Sequence, residues 1–203
     1  KAGVADDTMV FFWSDHGAGM PRHKRWLYDT GMRVPLIVYV PEKWQNLVPC
    51  QPGEVRDQLV SLVDLGPTVL NLAGVTIPGY MQGQPFLGPH LPEPRKYVYG
   101  TRDRMDETYD MFRAVRDGRY KYIRNYMPQR PYAQSQSYGD NSDIIREWRR
   151  LDAAGELNAE QALFMRDAKP AEELYDLTED PYELHNLADD QQHAATRQKM
   201  SDA

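Results

Sequence analysis

The sequence predicts an α/β protein in which the last part of a parallel-sheet domain is followed by a small antiparallel-sheet α+β subdomain. Two observations carry this prediction. Residues 8–13, TMVFFW, form an uninterrupted apolar run, which is typical of a central parallel strand that helices cover on both faces. Residues 112–126 instead hold two strand-like segments joined through Asp117 and Gly118, a strong signal for a β-hairpin. We expect the first domain over residues 1–90 and the second over residues 91–203.

The first predicted domain contains three strands and one helix. The run VPLIVYV at residues 34–40 repeats the apolar character of the first strand, and QLVSLV at residues 58–63 leads into Asp64. Asp64 is placed to cap a helix that Gly74 ends. Three strands and one helix are too few to cover both faces of such a sheet. We therefore expect this region to be the last third of an α/β domain whose beginning lies outside the sequence.

The second predicted domain follows a loop rich in proline and glycine at residues 76–96. A polar segment rich in Gln and Ser, residues 128–139, separates its hairpin from its helices. The predicted elements are a strand at 97–101, the hairpin strands at 112–116 and 119–126, a helix capped at 140–142, a strand at 173–177, a turn at 180–181 and a helical tail.

Composition limits the partners of the chain. Its 203 residues, 41% of them hydrophobic, suffice for one large or two small domains. The 24 basic and 30 acidic residues give a net charge of -6, which favours neither a nucleic acid nor an anionic membrane as partner. No apolar run approaches the roughly 20 residues of a membrane span, and the first residues lack a signal-peptide core. The single Cys50 excludes an internal disulfide, and no oligomeric state is indicated.

The candidate site lies where the first predicted strand ends. Asp15 and His16 are followed by Gly17 and Gly19, and parallel sheets bind ligands at the carboxyl ends of their strands. The pair fits a metal site, a base with its orienting partner, or a polar turn. The basic run RHKR, residues 22–25, comes next. A cationic cluster one loop away from a metal-type pair, in an acidic chain, predicts a site for an oxyanion.

The stretch SDHGAGMPRHKRWLYDTGMRVPLIVYVP resembles the sulfatase family of the alkaline phosphatase superfamily. SLVDLGPTVLNLAGV and ELYDLTEDPYELHNLAD are similar to two further family segments and follow in the same order. The spacing around Lys24 most resembles the heparan N-sulfatase branch. The resemblance covers nearly the whole chain and is weakest between residues 128 and 171. It implies the C-terminal part of an alkaline-phosphatase-like sheet domain together with the family's small subdomain.

The resemblance implies hydrolysis of sulfate esters, or of N-sulfate, in a sulfated carbohydrate or an aryl sulfate. Asp15 and His16 would then bind a calcium ion, and Lys24 would be the catalytic contact to the sulfate group. Calcium prefers oxygen ligands, so an imidazole where the family more usually has Asn leaves room for Mg²⁺ or Mn²⁺.

Four further basic residues are candidates for substrate binding. His23 and Arg22 lie in the basic run, and Arg102 and Arg104 lie in a charged loop, residues 102–107, between two predicted strands, where specificity residues often sit. Such arginines suit the carboxylate or sulfate groups of a sulfated sugar. A solvated or salt-bridged surface role is the alternative for each of them.

This sequence departs from the family pattern at the nucleophile. Sulfatases use a formylglycine made from the first residue of a Cys/Ser-x-Pro-x-Arg motif, whereas CQPGE at Cys50 has Glu54 at the arginine position. We therefore expect the formylglycine upstream of this chain, and we expect the chain alone to be inactive. The alternatives are a phosphonate or phosphodiester hydrolase of the same superfamily and a non-catalytic module that binds sulfated glycans. By resemblance, the protein is periplasmic, secreted or lysosomal.

Overall fold

The structure is a computed structural model that describes residues 2–203. The chain divides into two compact units, the first made of residues 1–15 and 35–98 and the second of residues 16–34 and 99–203. The segment His16–Val34, which we call the site loop, thus belongs to the second unit. The domain boundary at residue 90 stays a prediction.

The first unit contains a two-stranded antiparallel sheet. Strands β1 (Val10–Trp13) and β2 (Leu36–Tyr39) pair with Val10 opposite Tyr39 and Trp13 opposite Leu36. The strands were predicted correctly, but the parallel, fully covered arrangement expected for them is wrong in this chain. A continuous apolar run indicates that both faces of a strand suit an apolar environment, and it does not encode the direction of the neighbouring strand.

Both strands carry exposed apolar side chains. Phe12 is 60% exposed and Ile37 is 61% exposed, and these two residues face each other across the sheet. Soluble proteins rarely expose a contiguous apolar patch of this kind unless it contacts another surface. These two side chains form an exposed apolar patch on the sheet.

Helix α2 (Leu65–Leu72) follows a 3₁₀ turn at Leu62–Asp64. The strand expected at residues 58–63 is wrong, because Ser61 and Asp64 form a capping box that starts helical structure there. The Asp64 carboxylate accepts hydrogen bonds from the backbone N–H groups of Ser61 and Gln84, both at 2.8 Å, instead of capping α2. Gly74 has a φ of 68° and ends the helix as predicted.

The second unit is built on a four-stranded sheet in the order β3-β4-β5-β6. Its strands are β3 (Val98–Arg102), β4 (Phe112–Arg116), β5 (Tyr120–Asn125) and β6 (Glu172–Asp176). Strands β4 and β5 form the predicted antiparallel hairpin, and β6 is antiparallel to β5. All four strands lie within three residues of their predicted positions.

Five helices belong to this unit: α1 (Asp29–Met32), α3 (Ser137–Asp140), α4 (Asp143–Ala154), α5 (Ala159–Met165) and α6 (Ala194–Ser201). Helix α4 begins after Ser142, as the capping signal predicts, and it ends at Gly155, whose φ is 68°. Within residues 2–203, no helix has the length and apolar character that crossing a membrane requires.

The core of the second unit includes three consecutive residues of the site loop. Trp26, Leu27 and Tyr28 are 9%, 7% and 4% exposed. Trp26 stacks on Phe112 of β4 with ring centroids 5.6 Å apart and meets Phe164 of α5 edge-on at 5.4 Å. The burial of two aromatic side chains fixes the site loop to the sheet, because each aromatic side chain removes a large apolar area from water.

Candidate functional site

The backbone of the site loop closes on itself. The N–H of Gly17 donates to the carbonyl of Gly31 at 2.9 Å, and the N–H of Lys24 donates to the carbonyl of Ala18 at 3.0 Å. A Cβ on Gly17 would lie 1.9 Å from the carbonyl oxygen of Thr30, so only glycine fits there. This second hydrogen bond places the backbone of Lys24 against Ala18, two residues after His16.

Asp15 and His16 lie at the junction of the two units in the sequence. Asp15 is exposed and His16 is half-buried. The Nδ1 atom of His16 lies 2.7 Å from the carbonyl oxygen of Gly17. A protonated Nδ1 donating to this carbonyl leaves Nε2 with its lone pair, which is the arrangement typical of a metal-binding imidazole.

The donor set of this pair is one carboxylate and one imidazole. It suits a divalent cation, but calcium takes six to eight ligands, mostly oxygen. Among residues 2–203, no three His, Cys, Asp or Glu side chains are grouped so that they would hold a metal ion. The donor chemistry of the pair therefore fits part of a metal site.

Arg22 is held by the segment around Glu183. Its Nη2 atom donates to the carbonyl of Glu183 at 2.6 Å, and its guanidinium lies 4.1 Å from the centre of the Tyr28 ring. Arg22 has a φ of 61°, a left-handed conformation that costs energy in a non-glycine residue. These contacts give Arg22 an anchoring role in the loop, and a contact with substrate stays a prediction.

His23 lies between Arg22 and Lys24 in the basic run. Partial burial, together with the charge of Arg22, lowers the pKa of His23 below its usual value of 6.5. The imidazole is therefore neutral at pH 7. In that state it offers a hydrogen-bond donor and an acceptor, and a direct ionic contact of His23 with a substrate anion would require a lower pH.

Arg25 joins the basic run to two other segments. It has a φ of 79°, and its guanidinium donates to the carboxylate of Asp106 at 2.6 Å and to the side-chain oxygen of Gln136. The guanidinium carbon lies 5.1 Å from the centre of the Tyr138 ring, and the ammonium of Lys24 lies 5.4 Å from the same centre. Lys24 thus stands between two strained arginines that are each anchored by their side chains.

Arg102 and Arg104, although close in sequence, have different surroundings. Arg102 is 4% exposed, and its guanidinium lies 4.3 Å from the ring of Trp26 and 5.0 Å from that of Phe112. None of its three side-chain nitrogens has a hydrogen-bond partner among residues 2–203. Arg104 is exposed, and its Nε donates to the backbone carbonyl of Asp106. A substrate contact stays a prediction for both, and the burial of Arg102 favours packing against the rings.

The buried carboxylate of Glu173 holds the site loop through a hydrogen bond from Tyr28. Glu173 of β6 is 1% exposed and accepts hydrogen bonds from the hydroxyls of Tyr28, Tyr132 and Tyr175 and from the side chain of Asn125, at 2.6–2.8 Å. Burial, reinforced by the Glu173 charge, raises the pKa of Tyr28 well above 10. Tyr28 is therefore a permanent donor, and the bond fixes the loop two residues after Trp26.

A second buried carboxylate holds the far end of the loop. Glu183 is 0% exposed; its side chain accepts the backbone N–H of Asp29 at 2.6 Å and pairs with the ammonium of Lys121 at 3.0 Å. Lys121 also donates to the Asp29 carboxylate, which in turn lies 3.3 Å from Nε of Arg116. Two anions and two cations balance inside the fold, as buried charges require.

Sequence reasoning identified the segments that carry these contacts but missed their roles. Glu173 and Glu183 both lie in the stretch ELYDLTEDPYELHNLAD, where their burial has no local signature. Tyr138 lies in the segment predicted as polar and rich in Gln and Ser, residues 128–139. The only sequence signal at Tyr138 is an aromatic residue in a Gln- and Ser-rich context.

Comparison with known proteins places these features in a family. The family model described as Sulfatase matches residues 1–75, which include β1 and the site loop. The Ulvan-active sulfatase of Formosa agariphila is 44% identical over 187 residues, an alignment that covers 92% of this chain and 30% of that protein. The chain is thus similar to sulfatases along nearly its whole length. The human N-sulphoglucosamine sulphohydrolase is 29% identical over 213 residues, which cover 99% of the chain and 41% of that protein.

Solved structures of the sulfatase fold agree with the architecture of this chain. A structure of a 2-O GAG sulfatase matches 99% of the chain and 36% of its own length, with a TM-score of 0.67 at 23% identity. The phosphonate monoester hydrolase of Agrobacterium radiobacter matches 98% of the chain and 34% of its own length, with a TM-score of 0.62 at 22% identity. The predicted fold class is confirmed. The chain spans 30% and 41% of the two curated sulfatases named above.

Proposed function

We propose that this chain is the C-terminal part of a sulfatase that hydrolyses sulfate esters, or N-sulfate, of a sulfated carbohydrate. The observation that carries the proposal is the 44% identity to a protein named for its action on ulvan, over 92% of the chain. The closed site loop supports it, because the hydrogen bond from the N–H of Lys24 to the carbonyl of Ala18 brings the basic run back to a residue two positions after His16.

The proposed roles follow from the chemistry of each side chain. Asp15 and His16 provide two ligands of a divalent cation, calcium by resemblance, with Mg²⁺ or Mn²⁺ as alternatives. When bound, such an ion polarises the S–O bonds of the substrate. Lys24 contacts the sulfate group, since an ammonium is a compact charge that binds an oxyanion without demanding one orientation. The anchored arginines on both sides of Lys24 keep its backbone in place.

The nucleophile belongs to a different part of the proposed enzyme. We propose a formylglycine upstream of these residues and no sulfate release by the 203-residue chain alone. Cys50 is half-buried, and its backbone carbonyl accepts a hydrogen bond from the side chain of Gln45. Four residues later, Glu54 stands where the modification motif needs an arginine. The exposed apolar side chains of β1 and β2 are consistent with a sheet that further protein completes.

The proposed partners and location follow from the same assignment. The substrate is a sulfated carbohydrate, with aryl sulfates as small surrogates. By kinship, the protein works in the periplasm, outside the cell or in a lysosome, where sulfated polysaccharides are met.

The test is sulfate release by the full-length protein from sulfated ulvan and heparan disaccharides and from an aryl sulfate. Lys24→Ala is expected to lower kcat/KM by about 100-fold or more, the usual effect of removing one preorganised group that stabilises developing negative charge. Lys43→Ala is the matched control, because Lys43 has an exposed ammonium paired with Asp7 in the first unit. Equal activity of both variants would contradict the role of Lys24.

The metal assignment has its own measurement. Asp15→Asn and His16→Ala are expected to lower the content of divalent metal in the purified full-length protein, measured by elemental analysis. Wild-type metal content in both variants would exclude them as ligands.

A second candidate function is hydrolysis of a phosphonate or phosphodiester. The fold match to a phosphonate monoester hydrolase favours it, because that protein shares the architecture at a similar TM-score. Phenyl phosphonate esters in the same assay discriminate the two: faster turnover of the phosphonate than of every sulfate would replace the sulfatase proposal. Saturable binding of sulfated glycans without turnover of either class would indicate the non-catalytic module.

A further inference from the structure

The ring of Tyr138 is exposed, and two cations of the basic run lie over it. Tyr138 is 68% exposed on the short helix α3, although a tyrosine side chain gains more from burial than from water. The Lys24 ammonium and the Arg25 guanidinium carbon lie 5.4 Å and 5.1 Å from the ring centre. An accessible aromatic surface thus adjoins the residue proposed to contact the sulfate group.

The segment that carries Tyr138 is tied down on both sides. The backbone N–H of Ser137 donates to the carboxylate of Glu107, and the Asp140 carboxylate accepts the side chains of Ser135 and, at 2.8 Å, Arg149 of α4. These contacts hold the short helix from the charged loop on one side and from α4 on the other. An exposed ring on a fixed support loses little conformational entropy when a ligand covers it.

The support also reaches the basic run. Arg25 bonds both Asp106, in the charged loop, and Gln136, two residues before Tyr138. One guanidinium thereby links the three segments that border the ring: the basic run, the charged loop and α3. The side chain of Arg25 is 14% exposed and that of Asp106 is 45% exposed, so the link itself is partly shielded from water.

We infer that Tyr138 is the stacking platform for the sugar ring of the substrate, with Lys24 on the sulfate and Arg25 holding the platform. Pyranose rings present a face of C–H groups, which packs on an aromatic surface, while their sulfate or carboxylate groups need cations at the edge. Lys24 and Tyr138 offer these two features side by side. The inference rests on the proposed function, because it takes Lys24 as the sulfate contact.

The experiment measures the Kd of the full-length protein for two kinds of probe by isothermal titration calorimetry. The first kind is a sulfated disaccharide from ulvan or from heparan sulfate, and the second is inorganic sulfate, which has no sugar to stack. The variants are Tyr138→Ala, Tyr138→Phe and Tyr182→Ala. Tyr182 is a matched control, because its side chain is 69% exposed and lies outside the three segments.

Tyr138→Ala is expected to raise the Kd for the disaccharide by about three- to tenfold and to leave the Kd for inorganic sulfate unchanged. Tyr138→Phe keeps the ring and is expected to stay within about twofold of wild type, as is Tyr182→Ala. Thermal melts of each variant show whether the fold is retained.

Three results would overturn the inference: an unchanged disaccharide Kd in Tyr138→Ala, an equal loss of affinity for inorganic sulfate, or no saturable binding of either disaccharide by the wild type. If Tyr138 only shields Arg25, Tyr138→Ala lowers the melting temperature with no change of Kd. A wild-type protein that binds disaccharide but releases no sulfate refutes the proposed function, while the comparison of Kd values still decides the role of Tyr138.

Discussion

Removing the charge of Glu183 tests whether the buried ion cluster holds the site loop. Glu183 is fully buried, and its carboxylate meets the Lys121 ammonium and the backbone N–H of Asp29. In Glu183→Gln the amide oxygen can still accept the N–H of Asp29, but the cluster keeps two cations, Lys121 and Arg116, with one anion. Breaking a buried ion pair by removing one partner costs about 3–5 kcal/mol.

That range is an upper limit for Glu183→Gln, because Lys121 retains the carboxylate of Asp29. We expect a loss of about 2–3 kcal/mol of unfolding free energy at pH 7, or roughly 4–12 °C in Tm for a chain of this size. The assay is urea-induced unfolding followed by far-UV circular dichroism. Glu179→Gln, an exposed site in the same segment, is the control and should change stability by less than about 0.5 kcal/mol.

The double variant Lys121→Met/Glu183→Leu separates charge from packing. Replacing a buried ion pair by apolar groups of similar size is often neutral. We therefore expect the double variant to be more stable than Glu183→Gln. A Glu183→Gln variant as stable as the control, or a double variant less stable than Glu183→Gln, would refute the view that uncompensated charge causes the loss.

Three further perturbations have directions fixed by the structure. Burial lowers the pKa of Arg102 to about 10, so Arg102→Met should leave the unfolding free energy unchanged or raise it by up to about 3 kcal/mol in the same urea assay, and a large loss would contradict this. Hydrogen bonds from Arg119 lower the pKa of Asp176 below 3.8. Above pH 4 the wild type should therefore be more stable than Asp176→Asn by about 1 kcal/mol, and it should lose this advantage as the pH falls through the pKa of Asp176 in the folded state. Midpoints of urea unfolding measured across this pH range test the prediction. Gly17→Ala should destabilise the loop because its Cβ meets backbone, whereas Gly19→Ala, with open space around it, should be neutral in thermal melts; equal effects would be inconsistent with the close approach.

The sequence predicted local structure well where the signal is local. The hairpin through Asp117 and Gly118, the glycine end of α2 and the start of α4 depend on residues close to one another in the chain, and these were predicted correctly. The pairing of β1 with β2 depends on the neighbouring strand, and the apolar pattern of a strand does not encode it. The strand predicted at residues 58–63 was wrong, because the capping box of Ser61 and Asp64 starts helical structure within this apolar run.

The candidate site was predictable in its order along the chain but not in its contacts. The acid, the imidazole and the basic run were recognised from their spacing. Arg22 and Arg102 were predicted as candidates for substrate binding, because a sequence shows a positive charge without showing what faces it. Arg22 meets the carbonyl of Glu183, 161 residues away, and Arg102 lies against the ring of Trp26. Contacts at that separation have no sequence period that would indicate them.

Arg22 and Arg25, both in left-handed conformations, fix the backbone of the basic run on either side of Lys24. Each costs about 1–3 kcal/mol, a cost that persists only where the surroundings offset it. The contacts of Arg22 with Glu183 and Tyr28 offset the cost of its conformation. The hydrogen bonds of Arg25 to Asp106 and Gln136 do the same for Arg25. Because two strained residues are fixed on either side of Lys24, the path of the chain at Lys24 is fixed as well. The ammonium on its flexible stem is then delivered from a rigid backbone, which is what a contact to a charged group in a reaction needs.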